Sequence, residues 1–244
     1  MKTIVIGDRH NKTRGVNEFI ETQAPYEEVV FVGDYFDDFH DNAQIASGTA
    51  HWLKESLKDE RRIHLVGNHD MPYLLPIENL SQECPGFTHQ KDSAINSVLT
   101  RKDWNKIRPA YYTQGWMISH AGFSYNLVTH PVLGIPKPEE LIKKVEEGFE
   151  EVKKGNYHPY FAAGWRMGEP FTGGITWCDW NNEYIPIVGM PQIVGHTPSS
   201  FITAKRVTKD QTDYNVDACG SAIIVITDGI AEIVRTKAVR TKGA

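Results

Sequence analysis

Five short apolar runs of this chain each stop at a group of glycine, aspartate, asparagine or histidine residues. In the clearest case, residues 63–66 are followed directly by Gly67-Asn68-His69-Asp70. Polar and flexible residues end a buried strand poorly. They do place ligands and proton donors well at the carboxyl edge of an open α/β sheet, where such folds have their sites. The pattern therefore predicts an α/β fold with a site at the strand ends.

The other four apolar runs end in the same way. Residues 2–7, 29–33, 116–119 and 192–195 each lead into aspartate or histidine. The side chains at these four ends that suit a site are Asp8, His10, Asp34, His120 and His196. Because the carboxyl ends of neighbouring parallel strands meet at one edge, we interpret all five endings as one site.

The order of apolar patterns predicts the architecture. In residues 1–70, strands that are apolar on both faces alternate with helical patterns, which favours a parallel sheet covered on both sides. Residues 112–119 predict one strand. The apolar runs at 200–204, 215–218, 222–227 and 230–235, with turn signals between them, predict an antiparallel second sheet. We expect an α/β sandwich of two mixed β-sheets flanked by helices.

Length and composition fit one domain over residues 1–244, with 71–110 and 131–190 as lid or loop segments. A net charge of -5 gives no strong nucleic-acid signature. The three cysteines are odd in number and widely spaced, which fits a reducing cytoplasm better than a disulfide framework. The first apolar run is too short for a signal sequence or a membrane span, so we expect a cytoplasmic protein without a membrane partner.

With Asn68 from the first run, the six candidate side chains are carboxylate, imidazole and amide groups without a thiolate. That donor set suits divalent ions such as Mn²⁺, Fe²⁺, Zn²⁺ or Co²⁺. Six ligands are too many for one ion that keeps open positions, and about right for two ions roughly 3.5–4 Å apart that share a carboxylate. Asp34 is the natural bridge, because its strand is expected to lie between the others.

The ordered motifs resemble those of the calcineurin-like metallophosphoesterases. They are Gly7-Asp8-Arg9-His10, Gly33-Asp34-Tyr35-Phe36-Asp37, Gly67-Asn68-His69-Asp70, Ser119-His120-Ala121-Gly122 and Gly195-His196-Thr197-Pro198. The last two are similar to the phosphoprotein-phosphatase branch, which includes bacterial and phage serine/threonine phosphatases and symmetrical diadenosine tetraphosphatases. The resemblance extends from Asp8 to about Gly220.

The resemblance implies roles for single residues. One divalent ion would be held by Asp8, His10 and Asp34, and the other by Asp34, Asn68, His120 and His196. Mn²⁺ is the expected metal, with Fe, Zn, Co or Ni as alternatives. A metal-bound hydroxide would attack phosphorus. His69 would protonate the leaving alkoxide, and Asp70 would orient the His69 imidazole.

Substrate recognition departs from the branch pattern. The arginine that usually follows the second motif is absent, since Asp38 follows Asp37. Asn68 and Arg166 are the substrate-binding candidates, and the alternative for Arg166 is a loop arginine in a surface ion pair. Pro198 occupies the place of the second histidine of many phosphodiesterase relatives, which favours a phosphomonoesterase.

The sequence thus predicts a metal-dependent, protein-phosphatase-like phosphomonoesterase whose substrate is a phosphoprotein or a nucleotide. A nucleotide or dinucleotide polyphosphate hydrolase and an RNA-end phosphatase remain alternatives. A nuclease is disfavoured by the missing second histidine. A catalytically inactive metal-binding scaffold is the alternative from another class.

Overall fold

The computed structural model describes residues 1–38, 40–75, 84–129 and 134–235. The strands are β1 (Lys2–Ile6), β2 (Glu28–Phe31), β3 (Arg62–His64), β4 (Ala110–Thr113), β5 (Trp116–Ser119), β6 (Gln192–Val194), β7 (Thr203–Arg206), β8 (Thr212–Asn215), β9 (Ala222–Thr227) and β10 (Ile230–Arg235). The helices are α1 (Val16–Glu21), α2 (Ala43–Ser56), α3 (Met71–Leu74), α4 (His89–Asn96), α5 (Arg101–Trp104), α6 (Tyr125–Val128) and α7 (Pro138–Lys153), with 3-10 turns at Pro159–Phe161 and Gly164–Met167.

The strands form two mixed sheets of five strands each. The first sheet has the order β10-β9-β1-β2-β3, and the second has the order β4-β5-β6-β8-β7. β1 is central, since it pairs in parallel with β2 and antiparallel with β9. The predicted α/β sandwich of two mixed sheets flanked by helices is confirmed.

The alternation along β1 explains why both of its faces are apolar. Ile4 and Ile6 pack into a core shared with the helices, together with Phe31 of β2. Val5 points the other way, into a second core between the sheets that contains Ile193 of β6. The central strands therefore read as continuous apolar runs, and the polar residues that follow them stand out.

The helices follow their sequence signals. Asn42 caps α2 by accepting hydrogen bonds from the amides of Gln44 and Ile45, both at 3.0 Å. α7 begins with Pro138 and carries acidic residues in its first turn, as a helix start favours. Its apolar stripe is buried, and consists of Leu141, Val145, Phe149 and Val152.

Two predictions about strands were wrong. The single strand expected at 112–119 is a hairpin, in which β4 and β5 pair antiparallel across Gln114 and Gly115. The last strands do not form a sheet of their own. β9 and β10 extend the first sheet through β1, whereas β8 joins β6 in the second. Residue patterns define a strand, but its partner is set by contacts distant in sequence.

The two segments expected as lids or loops are largely helical where they are described. Segment 71–110 contains α3, α4 and α5, and segment 131–190 contains α7 and both 3-10 turns. Residues 76–83 and 131–133 of these segments lie outside the described residues. In the described ranges no helix is long and apolar enough to cross a membrane.

Candidate metal centre

The structure brings the six predicted ligands together at the carboxyl edge of both sheets. Two groups have ligand atoms within 4.8 Å of one another: Asp8, His10 and Asp34 in the first, and Asp34, His120 and His196 in the second. The Asn68 side-chain oxygen lies 3.0 Å from His120 Nε2 and 2.9 Å from His196 Nδ1. Asp34 belongs to both groups.

Backbone carbonyls fix which nitrogen of two histidines faces the site. His10 Nδ1 lies 2.7 Å from the carbonyl of Asp37, and His120 Nδ1 lies 3.0 Å from the carbonyl of Val32. A carbonyl only accepts, so each Nδ1 carries the proton and each Nε2 is left as a ligand. These Nε2 atoms lie 3.6 Å and 3.3 Å, respectively, from Asp34 Oδ2.

The donor set fits a divalent metal ion. Asp8 Oδ1 and His196 Nε2 are buried and lack a hydrogen-bond partner among the described residues. Buried polar atoms normally have partners, so unpartnered ones in a cluster of carboxylates and imidazoles indicate a site for a cation. The mixture of carboxylate, imidazole and amide donors suits hard or borderline ions.

The electrostatics point the same way. Burial, followed by the charge of Asp217, raises the pKa of Asp8 to about 8. Burial alone would lower the pKa of His120, but Asp34 and Asp8 outweigh it and raise that pKa to about 9. For Asp34 the effect of burial is outweighed by His120 and His69, so its pKa is lowered. Several buried carboxylates this close together are stable in their charged form only beside positive charge, which a divalent cation would supply.

His196 differs from the other imidazoles. Burial, and then the nearby His120, lower the pKa of His196 well below its ordinary value. A neutral imidazole is the form that binds metal.

Asp217 is a further acidic residue at the site that spacing alone did not identify. Its Oδ2 is buried and without a partner among the described residues, and burial raises its pKa. Its position falls within the resemblance, which extends to about Gly220, but outside the five motifs that carry it.

The backbone at three ligands is left-handed. φ is 42° at His10, 49° at Asp34 and 70° at His196. Residues with side chains seldom adopt such φ values, and those that do concentrate at functional sites. The chain therefore turns sharply after each of these strands and directs the side chain into the cleft.

Gly195 shows how closely the two sheets approach at the site. A Cβ atom on Gly195 would lie 2.1 Å from Asp8 Oδ1. The amide of the next residue, His196, donates a 3.0 Å hydrogen bond to Asp8 Oδ2. Only glycine permits this approach of a second-sheet loop to a first-sheet ligand.

His69 lies beside the ligands, and its partner differs from the expected one. Its ring makes an edge contact with His10 at a centroid distance of 5.2 Å. His69 Nδ1 lies 3.1 Å from Asp37 Oδ2. The expectation that Asp70 orients the His69 imidazole is therefore wrong.

Asp70 instead holds the backbone of the site. Its carboxylate accepts hydrogen bonds from the amides of Asp34, Tyr35 and Gly67, each at 2.8 Å. Burial, followed by the charge of Asp34, raises the pKa of Asp70 to about 7. Asp70 thus ties the turn after β2 to the turn after β3.

Arg166 lies at the edge of the site in an ion pair. Its guanidinium donates to Asp179 Oδ2 at 2.6 Å. Its positive charge also contributes to the low pKa of His196, after burial and His120, which places it within electrostatic reach of that ligand. Neighbouring Trp165 is 59% exposed, whereas Trp177 and Trp180 are buried.

Comparison with known proteins defines the class. Residues 1–199 match the calcineurin-like phosphoesterase family. A solved structure of a cold-active protein tyrosine phosphatase is similar with a TM-score of 0.55 and 16% identity, covering 95% of this chain and 78% of that one. A metallophosphoesterase from Sphaerobacter thermophilus gives a TM-score of 0.46 and 11% identity, covering 97% of this chain and 89% of that one. The search of curated proteins found no significant match.

The chain belongs to the calcineurin-like phosphoesterase family. It is a metal-dependent phosphoesterase that acts on phosphorylated substrates.

Proposed function

We propose that the chain is a phosphomonoesterase that works with two divalent ions, Mn²⁺ being the first candidate and Fe, Zn, Co or Ni the alternatives. The observation that carries the proposal is the shared position of Asp34 in both ligand groups. A carboxylate common to two ligand sets is the arrangement that bridges two ions in dinuclear hydrolases.

The two ions divide the ligands between them. One would be held by Asp8, His10 and Asp34, and the other by Asp34, Asn68, His120 and His196. When bound, the ions make water nucleophilic at neutral pH and neutralise charge on the phosphoryl oxygens.

His69 acts as the general acid. With its Nδ1 facing the Asp37 carboxylate, its proton-bearing Nε2 is the nitrogen available to substrate. As the bond between phosphorus and the leaving oxygen breaks, that oxygen takes the Nε2 proton and leaves as an alcohol. Asp37 keeps the Nδ1 proton in place and stabilises the charged imidazole before transfer.

Asn68 and Arg166 are the proposed substrate contacts. Asn68 already lies among the ligand atoms. Arg166 can exchange one of its donors from Asp179 to a substrate phosphate, because its side chain is 36% exposed. Pro198, in place of the second histidine of many phosphodiesterase relatives, supports a monoester.

A nucleotide or dinucleotide polyphosphate is the second candidate substrate. The exposed Trp165 beside Arg166 favours it, because an aromatic face next to a cation suits a nucleobase carrying phosphates. A phosphoprotein remains the first candidate, through the resemblance to the phosphoprotein-phosphatase branch. The cytoplasmic compartment also stays a prediction.

The test is hydrolysis of an aryl phosphomonoester and its matching diester, after chelation and with Mn²⁺ added back. We expect turnover of the monoester that requires the metal and is lost in Asp34→Asn. Preference for the diester would contradict the proposal. Metal uptake without turnover of either ester would indicate the inactive scaffold.

A further inference from the structure

A buried lysine, Lys91, contacts the carboxylate that faces the proposed general acid. Lys91 is on α4, far in sequence from the metal ligands, and its side chain is only 4% exposed. Its Nζ lies 2.6 Å from Asp37 Oδ1 and 2.8 Å from Asp41 Oδ1. A buried ammonium is costly unless it is paired, and here two carboxylates pair it.

The donors around Asp37 divide between its two oxygens. Lys91 Nζ and the Tyr73 hydroxyl both donate to Oδ1, each at 2.6 Å. Oδ2 faces His69 Nδ1 at 3.1 Å. The carboxylate plane is thus fixed from one side, and the oxygen left over is the one that meets the imidazole.

Asp41 is itself held in place. Its Oδ2 accepts a 2.8 Å hydrogen bond from Asn11, which follows the ligand His10 directly. Lys91 is therefore the central cation of a chain of contacts that runs from the turn after β1 to the His69 ring. Buried networks of this kind, once satisfied, specify a single geometry.

The His69 ring depends on that geometry. The His69 amide donates to Asp34 Oδ1 at 2.9 Å, which fixes the main chain. Rotation of the imidazole is left to its contact with Asp37 and its edge contact with His10.

We propose that Lys91 is a positioning residue for the general acid: through Asp37 it fixes the orientation of the His69 imidazole, so that Nε2 meets the leaving oxygen of the substrate. This inference rests on the proposed function. It assigns a task to a lysine that touches neither substrate nor metal.

The proposal predicts a dependence on the leaving group. An alkoxide is a strong base and must be protonated as it leaves, whereas 4-nitrophenolate leaves without help. Lys91→Met keeps the aliphatic stem and removes the charge. We expect it to lower kcat/KM for an alkyl phosphomonoester by about 10- to 100-fold, the effect typical of lost supporting contacts. Turnover of 4-nitrophenyl phosphate should change by no more than about threefold.

A double-mutant cycle separates positioning from general damage. In a His69→Asn background, Lys91→Met should cause no further loss with the alkyl ester, because the group it positions is gone. Lys153→Met is the matched control: Lys153 is also a buried lysine, paired with Glu150 at 2.8 Å on α7, away from the site. It should leave the ratio of the two substrates unchanged.

Equal losses on both substrates, or additive losses in the cycle, would overturn the proposal. If Lys91→Met fails to fold, Lys91→Gln is measured in the same way: it keeps a donor but removes the charge that pairs both carboxylates, so a smaller loss confined to the alkyl ester is expected, and unchanged activity on both esters would overturn the proposal. Failure of the proposed function looks different, since the wild-type enzyme would then prefer the diester or hydrolyse neither monoester with any of the metals.

Discussion

His64 is a buried histidine outside the metal centre, at the end of β3. Its Nδ1 lies 2.9 Å from the Tyr35 hydroxyl and its Nε2 lies 2.9 Å from Ser56 Oγ, and the ring stacks on Phe31 at 4.6 Å. Burial, and then the charge of Arg62, lower its pKa to about 3. The ring is therefore neutral in the folded protein through most of the acidic range.

This histidine makes folding stability sensitive to acid. Above pH ~6.5 the His64 ring is neutral in both the folded and the unfolded protein. Below that pH the ring is protonated in the unfolded chain, whereas in the folded chain it stays neutral down to about pH 3. Stability therefore falls as pH falls, by about 2 kcal/mol between pH 6.5 and 5 from this group alone. Urea unfolding at both pH values should show a smaller loss for His64→Gln, and equal losses would contradict the assignment.

The residues that could be predicted from sequence are those fixed by local spacing. All six predicted ligands follow strand ends at short offsets, so the pattern alone selected them as candidates, and the structure brings them together. The partner of His69 was misassigned because Asp70 is adjacent in sequence, whereas Asp37 reaches the ring across 32 positions. Lys91 gave no signal, because a lysine on a short helix normally faces solvent.

Among the elements, α2 and the β4–β5 hairpin each carry an exposed glycine with open space around it. A Cβ atom on Gly48 or Gly115 would have no atom within 4 Å among the described residues. Gly48 lies inside a helix, whereas Gly115 has a φ of 86° in the hairpin turn. The backbone conformation, and not contact with neighbouring atoms, therefore determines how a Cβ atom at each position changes stability.

Alanine at these two positions should act in opposite directions. Gly48→Ala should raise the free energy of unfolding by about 0.5–1 kcal/mol, since glycine is a poor helix former. Gly115→Ala should lower it by roughly 1–2 kcal/mol, because a left-handed φ strains any residue with a Cβ. Denaturant unfolding measures both, and shifts of the same sign would rule out this explanation.

The same hairpin shows what the sequence could not predict among the elements. An apolar stretch from 112 to 119 reads as one strand, and the turn at Gln114 and Gly115 is only visible as a positive φ at both residues. The pairing of β9 with β1 joins residues more than 200 positions apart. Pattern reasoning predicts such strands but not their partners.

Across the whole molecule, the candidate metal centre joins the two sheets. Asp8, His10, Asp34 and Asn68 follow strands of the first sheet, and His120 and His196 follow strands of the second. An ion held by Asp34, Asn68, His120 and His196 would therefore link both halves of the sandwich, and unfolding would release it. Metal binding and folding are coupled for that reason.

Metal should accordingly stabilise the whole fold. At a Mn²⁺ concentration 100 times Kd, the linkage is worth about 2.7 kcal/mol, which for a chain of this size raises Tm by ~5–10 °C. Differential scanning calorimetry after chelation and after adding Mn²⁺ measures the shift. Asp34→Asn should abolish it, and an equal shift in that variant would place the metal elsewhere.

At His10, Asp34 and His196 the left-handed backbone makes the residue that would best stabilise the fold different from the residue that the proposed activity needs. At each of these positions glycine would suit the main chain better, yet only the present side chains supply ligands. Replacing these three residues with glycine to gain thermal stability would therefore remove the side chains proposed to bind metal. The three positions combine an unfavourable backbone conformation with the side chains that the proposed metal centre needs.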